Sequence, residues 1–97
     1  MSNKVDPRVE ANLEIIREYL RGGFKGFEVT DQVDGPFRHV FTVTKSSDER
    51  YQLKVALTQL SAHSNTPEKT TQRLLTDDVA GRMRGKSQGE YFSWGKY

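Results

Sequence analysis

The 97-residue chain holds two histidines and no cysteine, which removes thiolate nucleophiles, disulfides and thiolate metal sites from consideration. His39 is in phase with Phe41 and Val43 in an alternating stretch. It reads as a strand residue hydrogen-bonded at the margin of the core, not as a base or a metal ligand. His63 lies within Ser61-Ala62-His63-Ser64. Hydroxyls beside an imidazole suggest nucleophilic catalysis, but neighbours in a loop rarely meet in attack geometry, and no elbow glycines surround them. The carboxylate pairs Asp31 and Asp34, Asp48-Glu49 and Asp77-Asp78 are of the kind general acid–base chemistry uses, yet each reads as part of a turn or a cap. A metal centre needs three or four converging donors, and the sequence shows no such cluster. The glycines of Arg21-Gly22-Gly23-Phe24-Lys25-Gly26-Phe27 follow a helix and lead into a strand. Phosphate loops run the other way, from strand into helix, so these glycines read as a helix stop. No catalytic residue, cofactor or metal is assigned, and the protein is read as non-enzymatic.

What remains is binding chemistry, and it is concentrated in two sets of residues. Tyr91, Phe92, Trp94 and Tyr97 place four of the ten aromatic residues in the last seven positions. From Gly81 onward Arg82, Arg84, Lys86 and Lys96 face the single acid Glu90, a net of +3, which leaves −1 for residues 1–80 of the total +2. Tyrosine, tryptophan and arginine are the residues most enriched among binding hot spots. The leading expectation is therefore an intracellular protein-interaction module that meets a protein partner, or a second copy of itself, through Tyr91, Phe92, Trp94, Tyr97, Arg82 and Arg84. The second set is Lys25, Arg38, Arg50 and Lys54, interleaved with Thr42, Thr44 and Gln52 at the outward positions of the strands. Cations and stackable rings are what single-strand binders use, so the alternative is an RNA- or DNA-binding protein using that sheet face together with the tail. A net charge of +2 is too small to draw the whole molecule to nucleic acid or to an anionic membrane.

The elements that must position these residues follow from periodicity. Asp6-Pro7 supplies a cap and a proline at the first helical position, and Gly22-Gly23 a stop. Between them Val9, Leu13, Ile16 and Leu20 form one stripe, with Ile15 and Tyr19 on its flank. The period then falls to two. Phe27 and Val29, then Phe37, His39, Phe41 and Val43, then Tyr51, Leu53 and Val55 mark the inner faces of three strands. They are separated by the turn Val33-Asp34-Gly35-Pro36 and the hairpin loop 45–49. Thr66-Pro67-Glu68 opens a helical segment over 66–84, with Leu74, Leu75, Val79 and Met83 inward, and Thr76-Asp77-Asp78 leaves open whether it is one helix or two. The expected fold is α+β: a three-stranded antiparallel meander covered on one face by the N-terminal helix and the C-terminal helical segment, as residues 1–84. Residues 85–97 are expected to be a basic, aromatic-rich flexible tail contributing little to the fold. The expected core is Leu13, Ile16, Leu20, Phe27, Val29, Phe41, Val43, Leu53, Val55 and Leu75. The start lacks the apolar run of a signal peptide and no apolar run approaches the length of a membrane span, so a cytoplasmic protein without membrane contact is expected.

The order helix, three strands, helix resembles that of the double-stranded RNA-binding domain, and Gly35 to Val43 is loosely similar to that family's loop and second strand over about ten residues. The likeness implies RNA binding. That family opens its last helix with clustered lysines, and Thr66-Pro67-Glu68-Lys69 stands there instead, so the likeness is taken as convergent topology.

Overall fold

Helix α1, Pro7–Gly23, buries the predicted stripe: Val9, Leu13, Ile16 and Leu20 are all inaccessible or nearly so. The computed structural model describes residues 7–35, 38–46, 49–56, 60, 66–86 and 90–94. Phe24 follows the helix directly and is fully buried. Gly26 then turns the chain with φ +88°, a left-handed conformation that glycine adopts without a Cβ penalty. Three antiparallel strands follow, β1 (Glu28–Asp34), β2 (Arg38–Ser46) and β3 (Glu49–Ala56). The register sets Val29 opposite Val43, Asp31 opposite Phe41 and Phe41 opposite Leu53. Since facing residues share a side, one face carries Val29, Asp31, His39, Phe41, Val43, Tyr51, Leu53 and Val55, and the other Glu28, Thr30, Gln32, Asp34, Arg38, Val40, Thr42, Thr44, Arg50, Gln52 and Lys54.

The segment after residue 66 divides into two helices, α2 (Pro67–Thr76) and α3 (Val79–Arg84). Thr66 Oγ1 accepts from the Lys69 N–H at 3.3 Å, the predicted cap. The break is at Asp78, whose φ of 49° and ψ of 54° are left-handed. Leu75 is corrected from core to surface, at 66% exposure. α2 ends one residue later, and Leu74 alone takes the inward position while Val79 and Met83 pack from α3.

The strand count is corrected from three to four. Tyr91–Trp94 forms β4, which pairs in parallel with β3, Leu53 against Phe92 and Val55 against Trp94, giving the order β1-β2-β3-β4. A parallel neighbour requires a crossover connection, and α2 and α3 lie within it. Residues 91–94 are thus part of the sheet and not of a flexible tail. Four residues with aromatics on both faces show too little alternation for sequence periodicity to detect. Tyr97, expected in the same tail, lies outside the described residues.

The sheet residues of the main core cluster lie on the Phe41 side, where they meet Leu13, Ile16 and Leu20 of α1, Leu74 of α2, and Val79 and Met83 of α3, while Val40 and Ala56 are buried on the opposite face. Ile15 and Tyr19 widen the buried stripe, and Tyr19 Oη accepts the Ala80 N–H at 3.0 Å, satisfying a donor at the start of α3. Asn12 is fully buried. Its Nδ2 donates to the Leu60 carbonyl at 2.8 Å, and its Oδ1 accepts from Thr70 Oγ1 at 2.8 Å, tying α1 to α2. No described helix is long and apolar enough to cross a membrane.

Candidate functional site

Two groups of polar residues stand out, one between α1 and the sheet and one on the opposite sheet face. The first centres on Asp31, expected in a turn but found in the middle of β1 facing α1. Arg17 Nε and Nη2 donate to its two carboxylate oxygens at 2.8 and 2.9 Å, a bidentate pair. His39 Nε2 lies 2.6 Å from Oδ2. Arg17 Nη1 also reaches Glu10 and Glu14 at 3.0 and 3.1 Å. The Arg17 hydrogen bonds hold the Asp31 carboxyl below its ordinary value, against burial, which raises it; the His39 hydrogen bond lowers it further. Reciprocally, Asp31 holds the Arg17 guanidinium above its ordinary value, again against burial. With Asp31 ionised, Nε2 carries the proton that it shares with Oδ2. A carboxylate clamped on both oxygens and lowered in basicity is a weak proton acceptor, so the geometry is that of a structural ion-pair network joining α1, β1 and β2. His39 is where the alternation put it, at 6% exposure and against the Phe41 ring at 5.1 Å. His63, Ser61 and Asp48 lie outside the described residues. Among the described residues no group of three or more His, Cys, Asp or Glu could hold a metal ion.

The second group occupies the sheet face away from the helices. Arg38, Arg50 and Lys54 share it. Lys25 does not, because it belongs to the turn between α1 and β1. Arg38 and Arg50 stand near opposite ends of β2, since Thr44 pairs with Arg50; six residues of strand rise separate them, about 20 Å. Between them Thr30, Asp31, Gln32, Val40, Thr42, Arg50 and Gln52 line an open depression of about 300 Å³. Gln52 Nε2 donates weakly to Thr42 Oγ1 at 3.4 Å. Lys54 Nζ sits 4.0 Å from the centroid of the Tyr91 ring and 3.7 Å from Asp34 Oδ2. Tyr91 is therefore brought from β4 to this face beside Lys54, and it is 42% exposed.

The other residues expected to meet a partner lie elsewhere and have contacts within the chain. Trp94 is 5% exposed and its Nε1–H donates to Asp77 Oδ2 at 2.9 Å. Phe92 is half-buried beneath Arg82, whose Nε donates to the Asp77 carbonyl at 2.8 Å. Arg84 lies over the Phe24 ring at 4.3 Å and donates to the Gly23 carbonyl. Phe24, Phe27 and Tyr51 form an aromatic cluster with centroids 5.4 to 6.1 Å apart, and Lys45 lies 5.9 Å from the Phe27 centroid. Sequence reasoning missed that cluster's cations. Lys45 was read as a loop residue, and nothing local to Arg84 shows that it meets Phe24 sixty residues away.

No protein family matches the chain, and neither a curated protein nor a solved structure of significant similarity was found. The parallel fourth strand also departs from the helix, three strands, helix order of the double-stranded RNA-binding domain.

Proposed function

We propose that this protein is a non-catalytic module that binds single-stranded nucleic acid across the open face of its sheet. One observation carries the reading: Arg38, Arg50, Lys54 and the exposed Tyr91 share one sheet face, where Arg50 lines a polar depression and the three cations outnumber the acids Glu28 and Asp34 of β1. Cations at intervals along a strand suit a phosphate backbone, and Tyr91 gives a ring on which a base can stack. The carboxamides of Gln32 and Gln52 and the hydroxyls of Thr30 and Thr42 can donate to and accept from base edges. A protein contact through the aromatic tail has less support, because Trp94 and Phe92 pack against the rest of the chain.

The test is fluorescence anisotropy of a labelled oligouridylate at two salt concentrations. At about 0.7 per single-strand phosphate contact, three contacts predict a roughly 20-fold loss of affinity between about 50 and 200 mM salt. Replacing Arg38, Arg50 and Lys54 together by glutamine should flatten that dependence by about 2 in log–log slope. Absence of binding at low salt, or an unchanged slope in the triple variant, would defeat the reading.

A further inference from the structure

We infer that the nucleic-acid path continues off the sheet face, past Arg50, onto a basic pole where Lys25, Lys45 and Arg84 surround the Phe24–Phe27–Tyr51 cluster. The inference rests on the sheet-face reading and extends it to a second surface. Three separate parts of the chain supply these cations: the turn after α1, the end of β2 and the end of α3. Arg84 and Lys45 converge because each lies over a ring of the same aromatic cluster, and Lys25 is exposed in the turn that carries two of those rings. Arg84 stacks on Phe24, Lys45 stands over Phe27, and Lys25 lies between those two rings in sequence. Lys86 follows Arg84 by two residues, past the end of α3, and Arg21 stands in the last turn of α1.

Helix termini explain only part of this charge. Arg84 donates to the last carbonyl of α1 and Arg21 stands in its last turn, both favourable at a negative helix end. Arg21 is also within 3.8 Å of Glu14. Lys45 has no such role, being exposed at a strand end, whereas Lys25 is exposed two residues past the end of α1 and shares it. The acids Glu28 and Glu49 begin β1 and β3, and Glu14 reaches Arg21, so Lys25, Lys45, Arg84 and Lys86 leave the balance positive. The pole is joined to the open face through the β2–β3 hairpin: Arg50 is on that face opposite Thr44, and Lys45 is the next residue along β2, directed to the other side. A backbone leaving the depression at Arg50 therefore meets Lys45 on crossing the sheet's end, then Lys25 and Arg84. A polyanion fits this arrangement. A folded protein partner would need apolar anchors, whereas Phe24 is fully buried beneath its arginine.

The experiment compares wild type with two glutamine variants, Lys25→Gln/Lys45→Gln and Arg38→Gln/Arg50→Gln/Lys54→Gln, using the same labelled oligouridylate. A thermal melt of each verifies the fold, which exposed lysine substitutions should leave within a few degrees. The expected result is a wild-type log–log salt slope of about 3.5, against about 2.1 for the sheet face alone, with the double variant lowering it by about 1.4, at about 0.7 per contact, in addition to the loss in the triple variant. If the double variant keeps the wild-type slope while the triple variant flattens it, the pole is excluded as a contact surface and the sheet-face reading stands. If neither variant changes the slope, or wild type does not bind, both fall.

Discussion

Replacing Trp94 with alanine removes the largest side chain of β4 and the indole N–H that holds it to Asp77, 2.9 Å away. Trp94 is 5% exposed and packs with Val55, its partner in β3, in the main core. Truncating a buried tryptophan to alanine costs about 3–5 kcal/mol, and total stabilities of small domains are about 5–15 kcal/mol. For a domain of this size each kcal/mol lowers the melting temperature by roughly 4–8 °C. The alanine variant should therefore melt about 15–30 °C below wild type, if it folds at all. Trp94→Phe keeps most of the packing and loses only the hydrogen bond to a half-buried carboxylate, a cost of about 1–2 kcal/mol. The assay is far-ultraviolet circular dichroism during a thermal ramp. Trp94 is the single tryptophan, so the wild-type fluorescence should begin blue-shifted and report the same transition as the dichroism if β4 unfolds with the sheet. An alanine variant melting within about 5 °C of wild type, or red indole emission from the folded protein, would refute the placement of β4 in the core.

The Asp31 network predicts a pH dependence with a definite sign. Its folded carboxyl is held below the unfolded value of about 3.9. Its contribution is therefore present in full at pH values above that value and is lost as pH falls through the folded pKa. Asp31→Asn leaves Arg17 with Glu10 and Glu14 and should weaken the fold at pH 7 by about 1–2 kcal/mol and flatten the acid limb of the stability curve; an acid limb as steep as wild type's would count against the ion pair. Asn12→Ala strands the buried Leu60 carbonyl and Thr70 hydroxyl and should cost about 2–3 kcal/mol in urea unfolding, whereas a midpoint unchanged from wild type would dispose of that network.

The legible parts of the fold were those with a sustained period. The α1 stripe, the alternation through Phe41 and Leu53 and the Thr66-Pro67 start of α2 each repeat a local rule several times within one element, so no tertiary knowledge is needed. Leu75 was misjudged because neighbouring leucines on one helix point about 100° apart, and the break at Asp78 decides which faces inward. β4 was missed for a different reason. Its stability comes from β3 and from Asp77, not from its own four residues. Alternation alone placed Arg38, Arg50 and Lys54 on the outward face of the sheet. Tyr91 joined them only through the parallel register, and Lys25 left them because Gly26 ends the turn before β1 starts. Asp31 is a contact between elements: the carboxylate is visible in sequence, but not the Arg17 that reaches it from α1.

Single-stranded nucleic acid held on the open sheet face would be mapped residue by residue in an amide NMR titration with oligouridylate. Shifts that follow saturation are expected at Thr30, Gln32, Thr42, Arg50, Gln52, Lys54 and Tyr91, with the inward neighbours Leu53 and Val55 and the α1 residues Leu13 and Ile16 nearly still. Shifts confined to the helical side, or an unchanged spectrum at saturating oligonucleotide and low salt, would contradict it.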